Sequence, residues 1–205
     1  TENKKLINEL FEKISSSSSE ISGAVFIPEE PEDTNYDHNK EKVFKFNDLK
    51  SRGSFLALRI EGDKISIDEK IKALTNELEL EKLDSAILDV YQSTPFWKKI
   101  NNLELFKATK NNLLRVVIPP SKGNKLMQYL GNKYKYYIDW CGSLYWIEVQ
   151  AKKNSKVGEI KKLIKEIEGY LTVIKTSNEF DYEETIFTVD DARLLISEKI
   201  KKSFD

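Results

Sequence analysis

The order of hydrophobic patterns between Leu113 and Lys175 constrains this chain more than any other feature. Leu113–Ile118 reads as a strand ending at Pro119–Pro120. Ser121 then caps a helix that turns Leu126, Met127 and Leu130 inward and closes at Gly131. Tyr134–Trp140 and Leu144–Val149 read as two strands joined tightly through Cys141–Gly142–Ser143. Ile160, Leu163, Ile164 and Ile167 fall at helical spacing ahead of Gly169, and Tyr170–Lys175 reads as a last strand. Strand, helix, strand, strand, helix, strand is the ferredoxin-like order.

The first half carries a similar series. Leu6, Ile7, Leu10, Phe11 and Ile14 predict a helix over 2–16, broken by the Ser15–Ser19 run. Ile21–Ile27 and Ser54–Glu61 read as strands. Ser66 and Glu69 have capping-box spacing before a stripe of Ile67, Ile71, Leu74 and Leu78. Ala86–Leu88 reads as a short strand, and Thr94–Pro95 as the start of a helix to about Leu103. This is the same unit without its opening strand, which is either cut off or supplied from upstream. The expectation is an α+β chain of duplicated ferredoxin-like antiparallel sheets with helices on one face. The halves are about 1–92 and 93–205, and a last helix runs from Asp190 to about Phe204.

Composition fits that size and narrows the function. The 205 residues are 40% hydrophobic, enough for one packed core or two small halves sharing an interface. The 33 Lys+Arg against 34 Asp+Glu leave a net charge of -1, so the basic excess that phosphate backbones demand is missing and nucleic acid is not an expected partner. A single cysteine, Cys141, excludes an internal disulfide and suits a reducing cytosol. With one histidine, His38, in a polar run, neither a Cys/His metal site nor a histidine-centred nucleophile is expected. No apolar run has the ~20 residues of a spanning helix. Thr1–Lys13 lacks a signal peptide's layout, and a start at Thr1 is what a processed or excised piece shows. Pro28–Arg52 is polar, and reads as a surface loop or a docking loop for a partner.

Several stretches then stand in a familiar order: "EISGAVFIP" (Glu20–Pro28), "LALRIEG" (Leu56–Gly62), "FWKKINNL" (Phe96–Leu103), "LLRVVIPPSKG" (Leu113–Gly123), "YIDWCGSLYWIEV" (Tyr137–Val149) and "GYLTVIK" (Gly169–Lys175). Together they resemble the C-terminal part of the FAD-binding E subunits of bacterial glycolate oxidases, of the vanillyl-alcohol oxidase type. "KIKKSFD" (Lys199–Asp205) is similar to the start of that type's closing Phe-Asp-Pro tail. Two positions depart from the pattern. Cys141 stands where a small residue, usually Gly, is expected, and Tyr170 follows Gly169 in place of His.

The resemblance implies the cap, or substrate, domain of a FAD-linked oxidase, with the N-terminal FAD-binding domain absent from this chain. It implies FAD in the intact subunit but not tight binding here, since no glycine-rich phosphate loop occurs among eight glycines. It implies oxidation of a small 2-hydroxy acid, glycolate to glyoxylate. The partners would be a homologous flavin subunit and an iron–sulfur subunit, in the cytoplasm or peripheral to the inner membrane through the complex.

A 2-hydroxy acid needs a cation for its carboxylate, best a bidentate arginine. Arg115 and Arg59 alternate with apolar residues on their strands. Each is either such a clamp or a flavin-facing charge, or else a structural ion pair with Glu61, Asp139 or Glu148 as partner. Asp139, Trp140 and Tyr145 are candidates for a sheet edge facing the flavin ring, against a reading as core aromatics under helices. A non-catalytic ferredoxin-like binding or assembly module is the alternative function, its aromatic strands suited to stacking bases.

Overall fold

Alternating apolar residues make the strands of this protein two-faced, and both faces are used. The computed structural model describes residues 2–28, 54–80, 85–150, 155–178, 188 and 191–204. Residues 29–53, with His38 and Arg52, and the acidic loop at 179–187 lie outside the described residues. Six strands, β1 (Ile21–Ile27), β2 (Phe55–Ile60), β3 (Asn112–Val117), β4 (Lys135–Asp139), β5 (Leu144–Val149) and β6 (Tyr170–Lys175), form one open antiparallel sheet. Their order is β2-β1-β4-β5-β3-β6.

The second half matches the expected order closely. The helix α4 (Gly123–Leu130) carries the chain from β3 to β4, and β5 fills the gap between those strands. The helix α5 (Ser155–Glu166) then carries it to β6, which lies outside β3. This layout is compatible with a ferredoxin-like fold. The first half adds α1 (Glu2–Ser16), β1, β2 and α2 (Lys64–Glu77). It supplies two strands rather than a second sheet, and β1 joins β4 through Phe26 opposite Ile138.

One core lies between the sheet and α1, α2, α4 and α5. Phe11, Ile14, Leu74, Leu126, Met127, Leu130, Ile160 and Ile164 pack there against Phe26, Leu114, Val116, Ile138 and Ile147. Each such buried side chain contributes about 1.5–3 kcal/mol relative to exposure.

The expectation of helices on one face needs correction. The helix α3 (Val90–Asn101) lies on the opposite face, where Phe96, Trp97 and Ile100 cover Val25, Ile27, Leu113 and Tyr137. Strand β1 is apolar at both alternating sets of positions, and β4 adds Tyr137 on the second face, so that face too must be covered there. Phe106, in a 3-10 turn at Glu104–Phe106, stacks on Tyr137 at 5.7 Å. The Tyr137 hydroxyl donates to the Ile100 carbonyl at 3.2 Å.

Local starts also differ from the sequence reading. Ala86–Leu88 forms no strand, and leads irregularly into α3. Asp89 and Gln92 close a reciprocal capping box, so α3 begins at Val90 and Pro95 lies inside it. Asp63, not Ser66, caps α2 by accepting from the amides of Ile65 and Ser66. Ser121 sits in a 3-10 turn ahead of α4 rather than capping it.

Candidate functional site

The face that carries α3 is buried over β1, β4 and Leu113 of β3; toward β6 its described side chains are mostly half-buried, and Arg193 of the last helix, Asp191–Phe204, holds its guanidinium carbon 5.0 Å from the centre of the Tyr170 ring. Register defines what stands on it. Tyr137, Trp146, Arg115 and Thr172 lie in one row across four strands, and Asp139, Leu144, Val117 and Tyr170 lie in the next. Trp146, Arg115, Thr172, Asp139 and Val117 are half-buried, and Tyr170 is 46% exposed.

Trp140 joins this group by leaving its strand. The chain turns after Asp139 with φ of 51° at Trp140, 50° at Cys141 and 89° at Gly142. Left-handed backbone at a non-glycine residue costs about 1–2 kcal/mol, so packing has to hold this turn. Phe11 of α1 does so from below: a Cβ at Gly142 would lie 3.1 Å from Phe11 Cδ2. Asp139 fastens the start by accepting from the Trp140 amide at 2.8 Å. Strand alternation would have put Trp140 beside Ile138 in the core. The turn leaves it 56% exposed instead, under the Arg115 guanidinium at 5.3 Å from the ring centre.

Three of the five expected residues, Arg115, Asp139 and Trp140, therefore gather on one surface. Arg115 rests on an aromatic ring rather than on the carboxylates considered for it. Glu148 accepts from Thr109 Oγ1 at 2.7 Å and from Asn111 Nδ2 at 2.6 Å, and Glu61 pairs with Arg59 at 2.7 Å. Burial raises the Asp139 carboxyl above its usual range, and the Trp140 amide pulls partly against that. Burial likewise raises the Cys141 thiol, partly offset by a hydrogen bond with Ser15.

Two expected residues are elsewhere. Tyr145 pairs with Ile138 and points into the helix-covered core, fully buried and stacked on Tyr136 with ring centres 6.5 Å apart. Burial pushes the Tyr136 hydroxyl up to about 12 and the Tyr145 hydroxyl higher still, so neither is an acid or base near neutrality. Arg59 is on β2, four strand steps from β3, or about 19 Å at roughly 4.8 Å per step. Its pair with Glu61 is a surface one, with side chains 40% and 58% exposed. The residue missed in place of Tyr145 is Trp146, opposite Tyr137. Alternation alone separates it from Tyr145, once Asp139 and Tyr137 are assigned to the open face.

The arrangement offers an aromatic and apolar floor with the Arg115 guanidinium and the Asp139 carboxyl beside it and the Arg193 guanidinium over Tyr170 at its β6 end. Such a surface can lie against a planar ring and hold an anionic group. Among the described residues no group of three or more His, Cys, Asp or Glu is placed to hold a metal ion, and no helix is long and apolar enough to cross a membrane. The class these features define is an α+β protein with a half-open antiparallel sheet. No protein-family model matches the chain, and no curated protein matches it either.

Proposed function

We propose that this chain is the cap domain of a FAD-dependent 2-hydroxy-acid oxidising subunit, built as two related sheet-and-helix units. The observation that carries the reading is the open sheet surface where Arg115, Trp140, Trp146 and Asp139 meet. The order α1, β1, β2, α2 repeats the order α4, β4, β5, α5, which supports the duplication.

FAD, when bound, supplies the two-electron acceptor for the substrate's C–H hydride. The chain's residues Arg115, Trp140, Trp146 and Asp139 fit the ring and substrate side of such a group. Arg115 binds the substrate carboxylate. Trp140 keeps the guanidinium in place and shields it from water. Trp146 and Val117 give the floor, and Asp139 stays desolvated beside it. The natural substrate is a small 2-hydroxy acid such as glycolate, and the partners are a flavin subunit and an iron–sulfur subunit.

The test is the intact subunit. It should be yellow, and its flavin absorbance should bleach when glycolate is added without oxygen. Arg115→Met should weaken that reduction. A colourless intact protein that retards RNA on a gel would turn the assignment to a base-stacking module, for which the exposed Trp140 and Tyr170 speak.

A further inference from the structure

A helix on the surface of a folded body normally turns its apolar stripe inward. The last helix, α6 (Asp191–Phe204), does not. Every residue from Arg193 to Phe204 is exposed. Ile196, Ile200 and Phe204 recur every fourth residue and so share one side of the helix, and they are 56%, 55% and 87% exposed. The sheet places only the first turn: the Arg193 guanidinium carbon lies 5.0 Å from the centre of the Tyr170 ring. Leu194 and Leu195 stand off the stripe in that same turn. The stripe itself begins in the second turn and runs to the end of a 14-residue helix about 21 Å long.

Charge says what this stripe suits. At 3.6 residues per turn, Lys199 and Lys201 fall on opposite flanks of it, and Lys202 stands behind it. No acidic residue lies between Lys199 and Phe204. Lysines in a last turn also complement the helix dipole, but that role needs no exposed stripe beside them. A lysine on each flank can lay its stem along an apolar zone and hold its ammonium group outside it. Anionic lipid meets both demands together: an apolar boundary under the stripe and phosphates along its two sides. The stripe is one straight line of three side chains, which matches a flat boundary.

We propose that α6 is an interfacial helix that lies on an anionic lipid surface. Ile196, Ile200 and Phe204 enter the boundary between headgroups and acyl chains. Lys199 and Lys201 meet the lipid phosphates, and Lys202 adds to the attraction from behind. So few apolar side chains give weak, reversible and salt-sensitive attachment. The inference does not depend on the flavin reading.

Co-sedimentation of the 205-residue chain with vesicles is the test. Mixed phosphatidylglycerol–phosphatidylcholine vesicles should bind the chain about tenfold or more tightly than pure phosphatidylcholine vesicles do. Raising the salt from about 0.05 M to about 0.5 M should release it. Ile200→Ser with Phe204→Ser should lower the partition coefficient by about tenfold, and so should Lys199→Gln with Lys201→Gln and Lys202→Gln. Phe204→Leu keeps the stripe and should bind as the wild type does. All these side chains are exposed, so circular dichroism and Tm should stay at wild-type values in every variant. Four results overturn the proposal. The mixed vesicles bind nothing. Pure phosphatidylcholine binds equally well, so that the lysines do not act. The serine pair binds as tightly as the wild type while the glutamine triple does not, so that α6 meets an acidic protein or RNA through charge alone. Or the wild type is a dimer on gel filtration and the serine pair a monomer, so that a second copy covers the stripe. A colourless intact subunit sinks the flavin reading and leaves each of these outcomes as it was.

Discussion

The guanidinium carbon of Arg115 stands 5.3 Å from the centre of the Trp140 ring, and the two arrive there by unrelated routes. Arg115 is in the middle of β3, and its direction follows from the strand. Trp140 is in a left-handed turn, and its direction follows from Asp139, Gly142 and Phe11. A cation over an exposed ring is worth about 0.5–1 kcal/mol. In a double-mutant cycle, Arg115→Met and Trp140→Leu should couple by about that amount in urea unfolding. On the proposed reading, Arg115→Met in the intact subunit should lower kcat/KM for a 2-hydroxy acid by about ten- to a hundredfold, as loss of a charge-assisted bond does. Unchanged kinetics with a lower Tm would assign the pair to stability alone.

Two buried tyrosines on neighbouring strands should respond in opposite ways to loss of their hydroxyls. Tyr137 donates to the Ile100 carbonyl, so Tyr137→Phe should cost about 1 kcal/mol. The Tyr145 hydroxyl is buried with no hydrogen-bond partner among the described residues, so Tyr145→Phe should be neutral or slightly stabilising. Chemical denaturation of the two variants checks this. A large loss for Tyr145→Phe would show that the hydroxyl is held after all.

Asp139 should make stability fall as pH rises. Its folded pKa is raised by burial above the unfolded value of about 3.9. Between those two values the folded state binds more protons than the unfolded one, so stability declines upward from about pH 4 through the folded pKa and is flat beyond it. Asp139→Asn removes the charge and keeps an oxygen for the Trp140 amide. Thermal melts from acid to neutral pH should show the wild type losing ground to the variant across that window. Parallel melting curves would contradict the assignment.

Gly169 is a close-packing point between α5 and β6. A Cβ there would lie 2.6 Å from Ile118 Cγ2 and 2.9 Å from the Val117 carbonyl oxygen. Gly169→Ala must push β6 away from β3, at a cost of about 1–3 kcal/mol. Because Tyr170 and Thr172 share that strand, the substitution should also change exchange at their amides. A variant of wild-type stability would mean that the α5–β6 junction yields at little cost.

The sequence determined the parts of this protein that depend on local periodicity. The order of strands and helices from Leu113 to Lys175, the inward stripes of α1, α4 and α5, and the placement of Arg115 and Asp139 on strands all follow from spacings of 2 and 3.6 residues. Local chemistry also set the helix starts, but competing caps had to be ranked. The reciprocal pair at Asp89 and Gln92 outweighed Thr94–Pro95, and Asp63 outweighed Ser66. Tertiary structure decided what no short window contains. The β1–β4 pairing made one sheet from the two halves. Val25 and Ile27 of β1, with Tyr137 of β4, drew α3 to the side expected to be bare. The left-handed turn at Trp140, braced by Phe11 from far along the chain, carried that ring out of the core. Register across β4 and β5 put Trp146, not Tyr145, beside Arg115. Face and partner are set by long-range contacts, and a strand's own residues specify only which of them alternate.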